Sequence, residues 1–268
     1  MSRLDISRRL FLLCYTHFMI YLIGNWKMAP EKNTQVVDLV KKTNDIAKLY
    51  KKNLTLIICP PAVFLATVVK NIKAPLLVGV QGVAGTDAIA QTGLISAGMM
   101  KDSGAQYCII GHSEMRARGE TNAQVKDQLD RIFEKKLLPI VCIGEKSRDE
   151  QGWYLSEVKD QLESIFAGLT PLQAKKVIIA YEPVWAIGAA AERAATPAEC
   201  REMTIFICKF LTDTYGEKVA KTIPVIYGGS ADEHNAKSFI TEGSVSGFLI
   251  GRVSLDAKRL TAVAKTIV

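Results

Sequence analysis

The chain is poor in the residues from which metal and redox sites are built. It carries three histidines and six cysteines in 268 residues. The cysteines are Cys14, Cys59, Cys108, Cys142, Cys200 and Cys208, and no two of them form a C-x-x-C pair. That excludes zinc-ribbon and thioredoxin-like sites, and neither a metal nor another cofactor is expected. Cys59, Cys108 and Cys142 lie inside apolar, strand-like runs and read as reduced core residues of a cytoplasmic protein. No G-x-G-x-x-G turn follows the first strand candidate. The residues there are Gly24-Asn25-Trp26-Lys27-Met28, which disfavours a dinucleotide-binding sheet. No Gly-, Pro- or Ser-rich linker divides the chain, and no low-complexity segment occurs. The formal net charge is +7, yet there is no arginine-rich run and no RNA-binding aromatic motif. The charge reads as a solvated surface rather than a nucleic-acid footprint, and a basic balance favours an anionic substrate. Beyond the N-terminal segment, no stretch is apolar long enough to span a membrane.

That N-terminal segment has the look of a signal peptide, with Arg3, Arg8 and Arg9 ahead of a mostly apolar run from Leu10 to Ile23. The run continues without a small-residue cleavage site into Ile20–Asn25, the first strand candidate. Met19 is a natural start immediately before it. The expected division is an extension over residues 1–18, outside the fold, and a single catalytic domain over 19–268.

What the sequence does have is alternation. Short β-type runs occur at Ile20–Asn25, Leu54–Cys59, Leu76–Gln81, Tyr107–Gly111, Pro139–Gly144, Val177–Glu182, Pro224–Gly228 and Gly247–Ile250. Longer amphipathic runs lie between them. In the first, Val36, Leu39, Val40, Ile46, Leu49 and Tyr50 share one helical face, with Asn33 or Thr34 as the expected N-cap. Thr196-Pro197-Ala198-Glu199 opens another with a cap, a proline in the first turn and an acid. Alternating strand and helix argue for a parallel sheet. Eight such units in a chain of this length predict an α/β fold, a single (β/α)8 barrel.

Function in such a barrel sits where the strands end. Glu182 ends the apolar run Val177–Ala180, and Pro183, which cannot donate to a ladder, stops the strand there. A carboxylate rigidly held and poorly hydrated at a strand tip suits a general base. The other strand ends offer Asn25 and Lys27, then His112-Ser113-Glu114, Gly144-Glu145, Tyr227-Gly228-Gly229-Ser230, and Gly251-Arg252. Glycine lets backbone approach an anion closely. A base, an imidazole, a fixed cation and glycine-rich loops suit proton abstraction beside a carbonyl on a phosphorylated substrate.

These motifs also carry a family resemblance. Gly24–Met28, Ile110–Glu114, Cys142–Glu145, Ala180–Gly188 and Tyr227–Ser230, in this order, closely resemble triosephosphate isomerase from about Met19 to the C-terminus. The resemblance implies cofactor-free interconversion of dihydroxyacetone phosphate and glyceraldehyde 3-phosphate. It implies that Glu182 moves the proton, His112 polarises the carbonyl, Lys27 supplies positive charge and Asn25 positions it, with Glu114 orienting Lys27. It places the phosphate on amides of Gly188, Ser230, Gly251 and Arg252, with Tyr227, Gly229 and Trp185 in support. Pro183–Arg193 corresponds to a lid that excludes water. A homodimer is implied, in which a loop at about 82–97 carries Thr92 to the partner's site. The competing reading is a catalytically impaired barrel acting as an interaction protein.

Three departures from the family pattern stand out. Where the family lid usually reads Gly-Thr-Gly-Lys, this chain has Gly188-Ala189-Ala190-Ala191-Glu192-Arg193, longer and richer in helix formers. Arg252 replaces the second of two glycines. Leu94 and Met115 stand where the family often has a Glu and an Arg, so an ion pair across a dimer becomes an apolar contact.

Overall fold

A computed structural model describes residues 19–188, 191 and 193–268. The expected extension at 1–18, and Ala189, Ala190 and Glu192 of the lid, lie outside the described residues. The strands are β1 Ile20–Asn25, β2 Leu54–Cys59, β3 Leu77–Val80, β4 Tyr107–Ile110, β5 Leu138–Ile143, β6 Ile178–Tyr181, β7 Val225–Tyr227 and β8 Gly247–Ile250. They pair in parallel and in sequence order, and β8 returns to β1, closing the barrel. A helix follows each strand: α1 Asn33–Tyr50, α2 Leu65–Asn71, α3 Ala97–Asp102, α4 Asn122–Glu134, α5 Trp153–Phe166, α6 Pro197–Tyr215, α7 Ala236–Thr241 and α8 Ala257–Ile267. The expected (β/α)8 barrel is therefore the fold.

Period-2 alternation along the strands builds two cores. Ile23, Ile57, Ile109, Ile140, Cys142, Ile178, Ala180, Ile226 and Leu249 pack together inside the barrel. Their neighbours of opposite parity, among them Leu22, Leu56, Ile58, Val141 and Ile179, pack outward with the helices. The same parity carries Asn25 and Glu182 to the inner side at the mouth, each one step beyond an inward pair.

Of the two expected helix starts, one holds and one does not. Thr196 caps α6 as expected: its side chain accepts from the Glu199 amide, Glu199 reaches back, and Pro197 is the first helical residue. For α1 the cap falls on neither Asn33 nor Thr34. The helix already includes both, and Lys32 is the boundary residue. Gln35 Oε1 accepts the Lys32 amide at 3.2 Å, and the Asn33 side chain is taken up by the Thr67 hydroxyl at 2.9 Å. The tertiary contact with α2 removed Asn33 from the capping role. Cys59, Cys108, Cys142 and Cys200 are buried free thiols, and Cys208 is buried.

Candidate active site

Glu182 follows the last residue of β6 and is 2% exposed. Its amide donates to Ile143 O at 2.7 Å, and the Gly228 amide donates to Tyr181 O at 2.7 Å, so the base of the side chain is locked between β5 and β7. Neither neighbour has room for a side chain. A Cβ on Gly144 would lie 1.7 Å from Glu182 O, and one on Gly228 would lie 2.7 Å from Glu182 Cγ. Gly144 leaves room for the Glu182 backbone carbonyl, and Gly228 leaves room for its side chain.

The carboxylate has one satisfied oxygen. Oε2 accepts the Ser113 amide at 2.8 Å. Oε1 lies 3.2 Å from His112 Nε2, but among the described residues no donor is aligned on it. A buried carboxylate oxygen left with a free lone pair is costly in stability terms, and it is the state a base must occupy. The Cys142 thiol beside it is pushed well above the ordinary thiol range, by burial first and then by the Glu182 charge.

His112 is buried at the start of the single helical turn Ser113–Arg116. Its Nδ1 accepts the Glu114 amide at 3.2 Å. A ring nitrogen that accepts an N–H carries no proton, so the imidazole proton belongs on Nε2, the atom facing Glu182. Gly111 makes the turn possible with φ +68, and Arg116 ties it down by donating to Gly111 O at 2.8 Å and Asn122 Oδ1 at 2.7 Å.

Lys27 sits two residues past Asn25 in a left-handed conformation, φ 51. Asn25 Oδ1 accepts the Lys27 amide at 3.0 Å, and Gln81 donates to Lys27 O at 2.9 Å. The ammonium meets Glu114 Oε1 at 2.6 Å. Burial alone raises the Glu114 carboxyl, but the bond and charge of Lys27 outweigh it and leave it below its ordinary value. Glu114 thus touches Lys27 with its side chain and His112 with its backbone. Asn25, Lys27, His112, Glu114 and Glu182, proposed from sequence, stand in one connected cluster.

The remaining expected residues ring this cluster less tightly. Lys27 Cε is 3.5 Å from where a Gly251 Cβ would stand, which places the end of β8 beside the ammonium. Arg252 opens a 3-10 turn, Arg252–Leu255, and is not among the left-handed residues, so its φ does not call for a glycine. Gly188 does need to be glycine, with φ +80. Tyr227 is buried and stacked on Phe239 at 4.2 Å. Its hydroxyl occupies the space a Gly229 Cβ would take. The Ser230 carbonyl accepts from Asn235 at 3.0 Å. Thr92 is exposed on the 82–97 loop and makes no hydrogen bond with Asn25 or Lys27 within the chain's described residues.

Sequence reasoning missed three contributors, the Ser113 amide, the Gln81 clamp and Arg116, and it named Glu145 without its role as a hub. Glu145 is fully buried and its Oε1 takes the Tyr181 hydroxyl at 2.8 Å, the Trp185 indole at 2.8 Å and Arg148 Nε at 3.3 Å. Burial, and then the Glu145 charge, push the Tyr181 hydroxyl far above its ordinary range. Glu145 was visible as a strand-end acid, but its donors come from distant positions. Among the described residues there is no metal-binding group of His, Cys, Asp and Glu.

Fold and site together define a barrel enzyme with a buried carboxylate, an imidazole and an ammonium at the mouth formed by the strand ends. Comparison with known proteins narrows the class. The family model described as triosephosphate isomerase matches residues 20–267, and the chain belongs to that family. Relatives bearing that name include proteins of Cytophaga hutchinsonii, 36% identical over 251 residues covering 91% of this chain and 98% of the relative, and of Bacteroides fragilis, 38% identical over 235 residues covering 87% and 92%. A third, from Moorella thermoacetica, is 37% identical over 247 residues, 90% of this chain and 96% of its own.

Proposed function

We propose that this barrel interconverts dihydroxyacetone phosphate and D-glyceraldehyde 3-phosphate, with Glu182 as the base. The observation that carries the reading is the Glu182 carboxylate: buried, passing where a Gly228 Cβ would stand, with Oε1 facing the His112 ring and, among the described residues, without an aligned donor. The carboxylate takes a proton from the carbon next to the carbonyl, leaving an enediol(ate), and returns it to the adjacent carbon. His112 Nε2–H donates to the carbonyl oxygen as charge develops there. The Lys27 ammonium, fixed by Asn25 and Glu114, stabilises the same charge. To reach substrate, Glu182 must leave the Ser113 amide, so binding has to be coupled to a rotation of the side chain.

Phosphate falls to the amides of Gly188, Ser230, Gly251 and Arg252, on the ends of β6, β7 and β8. The segment Pro183–Arg193 closes over it and excludes water, which strengthens the electrostatic contacts inside. The chain works as a homodimer in the cytoplasm. The dimer reading draws on exposed Ile89, Leu94, Ile95, Met99 and Met115, too many apolar residues along one loop and its surroundings to leave in water. The compartment reading draws on buried free thiols.

A coupled assay with glyceraldehyde 3-phosphate tests the reaction. Glu182→Gln keeps the shape and removes the base, and kcat should fall by about 10²–10⁴-fold with the melting temperature held. Wild-type protein without isomerase activity, or a Glu182→Gln variant as active as wild type, refutes the reading.

A further inference from the structure

The reaction as proposed gives the Arg193 side chain no role of its own, yet that side chain is held by contacts on two sides. Its guanidinium carbon lies 4.7 Å from the centre of the Trp185 ring, with that of Arg148 5.6 Å from the same ring. Guanidinium groups within about 6 Å of an indole are attracted to its π face. Each partner of the Arg193–Trp185 contact is anchored elsewhere. The Trp185 indole donates to Glu145 at the end of β5, at 2.8 Å. Arg193 grips Glu199 with two nitrogens, at 3.0 and 2.5 Å, a bidentate pair. Glu199 belongs to the first turn of α6 and also accepts the Thr196 amide at 2.8 Å.

We propose that Arg193 is a positioning residue for this reaction. It clamps Trp185, and through Pro183–Trp185 the backbone next to Glu182, in the resting arrangement where Glu182 accepts from Ser113. Trp185 stands at the entry of the segment and Arg193 at its exit, so their contact ties the two ends together and ties both to α6. Moving Glu182 off the Ser113 amide has to work against this clamp, because Trp185 is three residues along the same backbone. The inference rests on the proposed isomerase reading for the reaction it serves, and on the cation–π and ion-pair geometry for the clamp itself.

The clamp is read first without any substrate. In a Trp153→Phe background, which removes the exposed indole at the start of α5 and leaves buried Trp26, Arg193→Ala should raise acrylamide quenching of Trp185 and shift its emission to the red. Unchanged quenching overturns the proposal. The consequence is read in kinetics with glyceraldehyde 3-phosphate and in the inhibition constant of inorganic phosphate. Releasing a contact of this class should tighten both by about two- to fivefold. Glu199→Gln retains the acceptor that caps α6 but loses the ionic grip. It should move both constants in the same direction, and adding Arg193→Ala to it should change nothing further. Constants that do not move, or two effects that simply add, overturn the positioning role. Melting curves of each variant separate the clamp from loss of fold. A wild type with no isomerase activity refutes the proposed function alone, because the quenching measurement still decides whether the clamp exists.

Discussion

Glu182 and Lys27, the proposed base and cation, show how a side chain is held in place by neighbours that have none of its chemistry. Gly228 is the clearest case, because the Glu182 methylene passes where its Cβ would stand. Gly228→Ala should displace the carboxylate from both His112 and Ser113. We expect kcat to fall by at least about tenfold, as misplacing a catalytic group by roughly an ångström does, with a smaller effect on KM. Steady-state kinetics beside a thermal melt will check this. Lys27→Met tests the cation: it removes the charge that faces Glu114 at 2.6 Å and leaves that acid without its partner. Activity should drop by about 10²-fold or more, the range found when one electrostatic donor is removed from an active site. The Glu114 carboxyl should rise toward its ordinary value, readable by NMR titration.

The start of α6 is the element where local signals and tertiary contacts meet. Thr196, Pro197 and Glu199 form the cap that the sequence promised. Arg193 adds an ion pair that it did not. The Arg193 bond holds the Glu199 carboxyl down to about 2, against an ordinary 4.5. A carboxyl depressed by folding stabilises the native state fully above its unfolded pKa, and loses that contribution as the pH falls through its folded one. The contribution from Glu199 is therefore complete at neutral pH and disappears between about 4.5 and about 2. Arg193→Ala should unfold at a higher pH than wild type on acid titration followed by circular dichroism. The two proteins should converge once Glu199 is protonated in both. The strands argue the same point from the other side: β1, β2 and β8 have the bounds their apolar runs predict, and the others differ by a residue or two where the barrel's closure decides which amides pair.

At the scale of the whole molecule, the exposed apolar side chains set the prediction. The base of the 82–97 loop is closed by the Ala84 amide on Ile95 O at 2.8 Å, and Ile89, Leu94 and Ile95 project from it. With Leu94 and Met115 in place of an acid and a base, the proposed dimer should resist added salt, since an apolar contact at those positions offers no ion pair to screen. Sedimentation at low and high ionic strength will show it. Leu94→Glu should weaken association by at least about tenfold, because a charge would be buried without a partner.

Much of the site was legible before the fold was known, for reasons that can be stated residue by residue. Pro183 ends β6, so Glu182 had to stand at a tip. Strand parity sends Asn25 and Glu182 inward, the way Ile23 and Ala180 point. These signals are local: sterics, a missing amide hydrogen, and a two-residue period. His112 was legible only as a strand-end residue. Parity along β4 does not direct it inward, and it is the left-handed turn at Gly111 that brings it round.

The sequence by itself determined the alternation of strands and helices, the cap of α6, and which carboxylate, imidazole and ammonium stand at the strand ends. The tertiary structure alone decided what each of them touches. Ser113 and Glu182 are 69 residues apart, and Lys27 and Glu114 are 87 apart. Trp185 and Tyr181 meet Glu145 only because β5 and β6 are neighbours in the barrel. Local pattern fixes where a strand ends, but which ends converge depends on the closure of all eight strands into one ring. That closure is a property of the packed barrel and of no segment within it.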